Sequence, residues 1–118
     1  MTALSNEDSP VYIRLRATIA AGILRGDYRA GDQLPSVRAF AAENGANPLT
    51  VAKAYQSFQD DGYVEVRRGV GMFVLPGAAE RLRLAERDNF VKNQWPRIRG
   101  YIDLLGLDAA DLLQRENA

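Results

Sequence analysis

The segment from Ser36 to Gly62 constrains the fold more than any other part of this 118-residue chain. Ser36 precedes a short apolar-periodic stretch that ends at Gly45, and Asn47-Pro48 opens a second stretch that ends at Gly62. Ser and Asn are favoured N-cap residues, Pro is favoured in the first helical turn, and Gly commonly follows a helix end. The spacing therefore predicts two short helices with a very short, glycine-containing connection, which is the pattern of a helix-turn-helix.

A longer helix is predicted before this pair, beginning at Ser9-Pro10 and ending near Gly26. Its apolar residues recur at spacings of three and four, which places them on one helix face; they are Tyr12, Leu15, Ile19 and Ile23. The connection "GDYRAGDQLP" is rich in Gly, Asp and Pro and is predicted to form a turn or a short extended piece.

The stretch "VEVRRGVGMFV" predicts a β-hairpin, because the strand-forming segments Tyr63–Val66 and Phe73-Val74 flank Gly69 and Gly71. A second interpretation is a phosphate-binding loop of a small nucleotide enzyme. That loop requires G-x-G-x-x-G at the opening of a helix, or G-K-[ST]. Here the single G-x-G leads into a strand-like sequence, so the hairpin is favoured.

The C-terminal part is predicted to be helical from 78 to 105, as one long helix or as two joined at Pro96, followed by a short helix capped by Asp108. Apolar residues in it recur at spacings of four, three, four and three, which is typical of a coiled-coil seam. We expect this seam to be an interface between two copies; the alternative is packing within one chain against the first or the last helix. The residues are Val91, Trp95, Ile98, Ile102 and Leu105.

Composition disfavours an enzyme, because the chain has no Cys and no His and therefore lacks the commonest general base and metal ligands. We expect no metal and no cofactor. Fifteen basic residues balance 15 acidic ones, so an argument for nucleic-acid binding must come from where the charges lie. Residues 1–9 are polar and are predicted to be disordered, and no apolar run has the length of a membrane span, so we expect a soluble cytoplasmic protein with no membrane partner.

The second helix of the pair has the residues of a DNA-recognition helix. On a helical wheel, Val51, Ala54, Tyr55 and Phe58 form a core face, and Leu49, Lys53, Gln56 and Ser57 lie opposite, with Thr50 on the flank. An α-helix fits the major groove, where Lys53 or Thr50 can meet bases or phosphates and Leu49 a thymine methyl. Asn47 and the helix N-terminus can hold a phosphate.

Two further positions are candidates for phosphate contacts. Arg38 lies in the first turn of its helix, where the positive end of the helix dipole disfavours a cation and suggests an external anion. Ser36 is first of all a cap. In the hairpin, successive residues point to opposite faces, so one arginine is expected to face DNA, and we favour Arg68 over Arg67.

From residue 10 to 75, the order and spacing of "GDQLPSVR", "NPLTVAKAY" and "DGYVEVRRGVGMFV" strongly resemble the DNA-binding domain of the GntR family of bacterial transcription regulators. The resemblance implies an α+β winged helix-turn-helix. It also implies DNA contacts from the two helices and from the hairpin, here called the wing. The implied contact residues are Arg38, Asn47, Leu49, Thr50, Lys53, Arg67, Arg68, Gly69 and Gly71, and we add Ser36 beside Arg38 as a further candidate. Many members have a basic residue at Pro48 and a polar one at Val70, so their base preferences do not transfer.

The short helical tail resembles that of the YtrA subfamily, in which two C-terminal helices serve dimerisation. Following the polar segment 1–9, predicted to be disordered, these likenesses imply a winged helix-turn-helix domain over 10–76 and an all-helical dimerisation tail over 77–118. The expected function is a homodimeric repressor that binds a palindromic operator in double-stranded DNA. A small-molecule effector stays open although nothing in the sequence indicates one, and we do not expect so short a tail to enclose a ligand pocket by itself. A winged helix that binds another protein instead of DNA stays open, because the net charge is zero.

Overall fold

The computed structural model describes residues 10–115; the segment 1–9, predicted to be disordered, and residues 116–118 lie outside this range. The described elements are α1 Pro10–Arg25, α2 Val37–Asn44, α3 Pro48–Asp60, β1 Val64–Arg67, β2 Gly71–Val74, α4 Ala78–Asn89, a π-helical turn Phe90–Gln94, α5 Trp95–Leu104 and α6 Ala109–Arg115. Contacts divide the chain into two units, one ending at Arg83 and one beginning at Leu84. The predicted domain boundary at Pro76-Gly77 concerns which segment folds independently, and it stays a prediction.

The predicted ends of α2 and the predicted start of α3 are confirmed, whereas Ser9, predicted to begin α1, lies outside the described residues. The Ser36 hydroxyl oxygen accepts a hydrogen bond from the Ala39 backbone N–H at 3.1 Å and so caps α2. The Asn47 side-chain oxygen caps α3 by accepting from the Leu49 backbone N–H at 2.8 Å. Gly45, with φ +58°, ends α2 in the left-handed conformation. Only two residues then separate it from α3, which gives the helix-turn-helix its tight connection.

One apolar core holds the first unit together. The apolar faces predicted for α1 and α3 are confirmed, because their residues are buried together with the apolar side of α2 and of the sheet. Phe58 is fully buried and carries the Arg16 guanidinium over its ring at 4.8 Å. Burial of a side chain of this size contributes about 2–3 kcal/mol to folding. The core residues are Tyr12, Leu15, Ile19, Ala20, Ile23, Leu34, Phe40, Ala41, Val51, Ala54, Tyr55, Phe58, Tyr63, Val64, Val74, Ala78 and Leu82.

The wing is an antiparallel hairpin in which Val64 pairs with Val74 and Arg67 with Gly71. The first strand begins at Val64 rather than at Tyr63, because the Tyr63 backbone N–H is used by the Phe58 carbonyl at the end of α3. The second begins at Gly71, two residues earlier than predicted. Residues 31–34, predicted to be a turn or extended piece, run beside β2 and exchange backbone hydrogen bonds with it.

The first two turns of α4 pack in the first unit, where Ala78 and Leu82 are buried. The Arg83 guanidinium donates to the Leu24 carbonyl at 3.3 Å, and that of Arg29 donates to the Gly26 carbonyl at the same distance. Cations are favourable at the C-terminus of a helix, where carbonyls lack intrahelical partners. Both arginines therefore stabilise the end of α1.

The second unit contains the rest of α4, the π-helical turn, α5 and α6. The chain stays helical through Pro96, so the alternative of a break there is not observed. Instead, the Trp95 N–H donates to the Phe90 carbonyl five residues back, which widens the helix before the proline ring. Gly106 and the Asp108 cap separate α5 from α6 as predicted. None of the helices in the described range is long and apolar enough to span a bilayer.

Candidate nucleic-acid interface

The N-terminal half of α3 presents a polar and an apolar side chain outward. Leu49 is 73% exposed, Lys53 is exposed and Thr50 is partly buried, while Val51 on the opposite face is fully buried. Burial of that face fixes the rotation of the helix about its axis. The predicted outward-facing residues therefore share a surface that begins at the Asn47 cap.

Tyr55 ties α3 to the segment that precedes α2. Its hydroxyl donates to the Pro35 carbonyl at 2.8 Å, and its ring lies 5.6 Å from that of Phe40. Burial, with smaller contributions from Tyr28 and Glu43, raises the pKa of the Tyr55 hydroxyl far above its ordinary value of 10. The hydroxyl therefore stays protonated and holds Pro35, which sets the position of the neighbouring Ser36 cap.

The first turn of α2 carries Ser36 and Arg38. Ser36 uses its hydroxyl oxygen as the cap, which leaves its hydroxyl proton to be donated outward. Arg38 is exposed, and the first turn of this helix contains no acidic residue. A cation at the positive end of a helix, beside uncapped N–H groups, makes a local site for an anion.

The wing places its two arginines in different surroundings. The Arg67 guanidinium lies 4.0 Å above the Phe73 ring and 3.3 Å from the Glu65 carboxylate, on the side of the hairpin that those residues share. Arg68 is exposed in the turn, which is closed by a 2.9 Å hydrogen bond from the Val70 N–H to the Arg67 carbonyl. Gly69, with φ +76°, occupies the turn position that requires positive φ.

The phosphate-loop interpretation of "RRGVG" is wrong. The residues after the loop, Gly71–Val74, form a β-strand, and the next helix begins only at Ala78. A phosphate loop of the Rossmann or Walker type needs a helix N-terminus directly behind its glycines, and this hairpin does not have one.

Hydrogen bonds and ion pairs divide the cations of residues 10–83 into two groups, and one predicted contact, Arg67, belongs to the paired group. Seven of the ten Lys and Arg side chains in this range hold a carboxylate or a backbone carbonyl; they are Arg14, Arg16, Arg25, Arg29, Arg67, Arg81 and Arg83. Within the described residues, the other three have no such partner: Arg38, Lys53 and Arg68. All three were candidates for DNA contact.

The start of α2 and the wing tip border one apolar cavity of about 300 Å³. Ser36 and Val37 line it on one side, and Val70 and Gly71 on the other. Gln33 also lines it and donates a side-chain hydrogen bond to the wing. Sequence reasoning missed Gln33, because its partner is 37 residues away and no local pattern connects the two.

The second unit carries a groove of about 540 Å³ along α5, lined by Gln94, Arg97, Ile98, Tyr101 and Ile102. Tyr101 is 63% exposed and Ile98 is 42% exposed. The groove is therefore open at the surface of α5, and this unit does not enclose it. Among residues 10–115, no group of three or more Asp or Glu side chains is arranged to hold a metal ion.

Comparison with known proteins agrees with the winged helix-turn-helix geometry described above. Residues 11–74 match the family model "Bacterial regulatory proteins, gntR family". The chain belongs to the GntR family. It is 36% identical over 74 residues to the HTH-type transcriptional repressor YtrA of Bacillus subtilis (strain 168), an alignment that covers 63% of this chain and 57% of YtrA. The chain thus spans less than two thirds of the length of that relative.

Solved structures agree as well. YtrA from Sulfolobus acidocaldarius, a GntR-family transcription factor, superposes with a TM-score of 0.54 at 30% identity, over 72% of this chain and 90% of that one. A GntR family transcriptional regulator from Listeria monocytogenes superposes with a TM-score of 0.70 at 24% identity, over 94% and 96% of the two chains. The second likeness concerns the fold alone.

These similarities confirm the winged helix-turn-helix with a helical C-terminal part, and the YtrA-like character of the chain. The chain therefore carries the DNA-binding domain of the GntR family of bacterial regulatory proteins. The family consists of regulators and not of enzymes, so the expectation that the chain is not an enzyme is confirmed.

Proposed function

We propose that this chain is a homodimeric repressor that binds a palindromic operator in double-stranded DNA. The observation that carries the proposal is a set of three cations with no partner within residues 10–115: Arg38 on α2, Lys53 on α3 and Arg68 in the wing. Cations that neutralise phosphates release condensed counterions, which supplies most of the sequence-independent affinity for DNA. Three free cations on the three elements that meet DNA in such a fold support binding by a protein of zero net charge.

In the proposed complex, the start of α3 enters the major groove. Lys53 and Thr50 donate to base edges or phosphates, and the exposed Leu49 contacts a thymine methyl. The other contacts are to the backbone, from Ser36, Arg38 and Asn47 at the two helix N-termini and from Arg68 in the wing. Gly69 brings the turn backbone close to the duplex. Arg67 contributes less, because Glu65 and Phe73 hold its guanidinium.

The test is a salt series of binding to mixed-sequence DNA, measured by fluorescence anisotropy on the native chain and on three variants. Arg38→Ala, Lys53→Ala and Arg68→Ala are compared with Arg25→Ala, which removes the same charge from an arginine paired with Asp27 at 3.0 Å. The three variants are expected to bind more weakly than the control, because only they remove an unpaired cation. Equal losses in all four would show that net charge, and not these positions, determines the affinity.

A winged helix that binds a protein instead of DNA predicts a different result. Phosphate neutralisation requires the affinity to fall steeply with rising salt. Flat or absent binding of the native chain to DNA would favour the protein-binding interpretation and overturn the proposed function.

Dimerisation is proposed from the second unit, where the described residues of the π-helical turn, α5 and α6 include no buried side chain. Three residues of the predicted seam are largely exposed: Val91 at 63%, Ile98 at 42% and Leu105 at 54%. The other two, Trp95 and Ile102, are partly exposed. Helices of soluble proteins bury their apolar face, so a face this open in one chain supports a partner helix.

Light scattering at micromolar concentration tests this interface. We expect a dimer for the native chain, a monomer for Ile98→Asp, and a dimer for the control Arg99→Gln, which changes the net charge by the same amount at an exposed neighbouring site. A native monomer would contradict the proposal.

The remaining parts of the proposal follow from the dimer and the DNA. Two recognition helices related by a two-fold axis would read half-sites about one helical turn apart, so selection from a random DNA pool should return an inverted repeat. Repression is proposed because the B. subtilis relative is named a transcriptional repressor. A cytoplasmic location is proposed because a regulator must reach chromosomal DNA.

A further inference from the structure

We propose that Gln33 is a positioning residue that fixes the tip of the wing, and that glycine at position 71 leaves the space that its side-chain amide occupies there. The ordering of the wing by Gln33 is independent of any ligand. Its consequence for DNA binding rests on the proposed function above, through Arg68.

Residues 31–34 pair with the outer edge of β2 through backbone hydrogen bonds. The Gly31 N–H donates to the Val74 carbonyl and the Leu34 N–H to the Met72 carbonyl, each at 2.8 Å. Between them, the Val74 N–H donates back to the Asp32 carbonyl at 2.9 Å. This backbone ladder holds β2 as far as Met72 and ends there, short of the turn.

The side chain of Gln33 continues the contact beyond the ladder. Its Nε2 donates to the Val70 carbonyl at 2.9 Å, within the turn that carries Arg68. That turn is otherwise closed by the hydrogen bond from the Val70 N–H to the Arg67 carbonyl. The backbone of Gln33 is fixed to the first unit by the ladder and by the buried neighbour Leu34. Its side chain therefore joins the wing tip to the rest of that unit.

Gly71 and Gly69 differ in what a side chain would meet. A Cβ built at Gly71 would overlap the Gln33 side-chain amide, and Gly71 has φ +148°. A Cβ at Gly69, with φ +76°, would meet no atom within 4 Å among the described residues. Gly69 thus serves the turn conformation alone, whereas Gly71 also provides the space that the Gln33 amide occupies.

The consequence is a wing tip that is ordered before DNA arrives. A flexible turn must lose conformational freedom when Arg68 binds, and that loss weakens the complex. Removing one hydrogen bond of this kind is expected to reduce affinity about two- to tenfold. The reduction should act through Arg68, because that arginine lies in the turn that Gln33 holds.

The experiment uses Gln33→Met, which keeps the length of the side chain and the net charge but removes the N–H donor, with Gln59→Met on α3 as the matched control. Amide exchange and backbone order parameters of the free protein report on residues 68–71. DNA affinity is then measured for Gln33→Met, Arg68→Ala and the double variant. We expect faster exchange in the wing only for Gln33→Met, and a two- to tenfold loss of affinity that disappears in the Arg68→Ala background.

Each failure points to a different premise. Unchanged exchange and order at residues 68–71 in Gln33→Met would overturn the positioning role. A loosened wing whose affinity loss is the same with and without Arg68 would overturn the link to Arg68. Absence of DNA binding by the native chain would overturn the proposed function and the consequence drawn from it, while the exchange measurement would still decide the role of Gln33.

Gly71→Ala provides an independent check on the space argument. It should loosen residues 68–71 in the native background by displacing the Gln33 amide, and less so in the Gln33→Met background, where a flexible methionine can yield. An equal effect in both backgrounds would show that only the backbone conformation requires glycine at this position.

Discussion

Exchanging the two wing arginines for alanine, one at a time, should produce opposite signatures. In the structure Arg67 has two partners in its own hairpin, Glu65 and Phe73, and Arg68 has none among the described residues. We therefore expect Arg68→Ala to weaken DNA binding and to leave the free energy of unfolding unchanged. Arg67→Ala should change stability and leave the salt dependence of binding as it was.

The magnitudes follow from these contacts. If each protomer of a dimer loses one phosphate contact with Arg68→Ala, the slope of log affinity against log salt becomes less negative by about 1.8, since each contact contributes about 0.9. Between 50 and 200 mM salt, the ratio of native to variant affinity should then shrink about tenfold. For Arg67→Ala, an exposed ion pair and a cation–π contact are each worth at most about 1 kcal/mol, so the melting temperature should fall by a few degrees.

The assay pairs fluorescence anisotropy over this salt range with a thermal melt of each variant. The mixed-sequence duplex is the same throughout, so base readout does not enter the comparison. Equal changes of slope in both variants would refute the argument that the partners of Arg67 withdraw it from DNA. A slope change in Arg67→Ala alone would reverse the assignment.

Three further predictions concern the other elements. Arg38→Ala should weaken binding to all sequences to the same extent, and unchanged affinity for competitor DNA would remove Arg38 from the phosphate contacts. Lys53→Ala should alter which sequences a random pool yields, with about 1–3 kcal/mol lost at one base position; a uniform loss would instead assign Lys53 to phosphate. Because burial raises the folded-state pKa of Tyr55, its contribution to stability is complete below about pH 10 and should fall by about 1.4 kcal/mol per pH unit above it. Tyr55→Phe should flatten that part of a urea-unfolding series from pH 8 to 11, and an unchanged slope would contradict the assignment.

Local signals explain why so much of the first unit could be predicted from the sequence. The caps at Ser36 and Asn47 and the stop at Gly45 each act within a few residues, so their geometry is encoded where they stand. The apolar periodicity of α1 and α3 likewise needs no knowledge of the partner surface. These features together delimit the helix-turn-helix.

Features that depend on residues distant in sequence were missed. The edge formed by residues 31–34 contains Gly, Asp and Gln, which have little preference for strands, and it pairs only because β2 lies beside it. The interaction of Gln33 with Val70 spans 37 residues. The widening of the helix before Pro96 was also not foreseen, since a proline can be accommodated in several ways.

The zero net charge of the chain shows why composition alone does not decide whether a protein binds DNA. A net charge of zero argues against a DNA-binding protein only if the acidic and basic groups are mixed evenly over the surface. In the first unit, by contrast, the pairing is selective: Asp27, Asp61 and Glu65 each neutralise an arginine, and backbone carbonyls engage four more. Among the described residues, no partner is found for Arg38, Lys53 or Arg68, one on each element that would face the duplex. A net charge of zero is therefore compatible with cations that stay available for phosphate on the elements proposed to face DNA, because the net charge does not record which cations have partners.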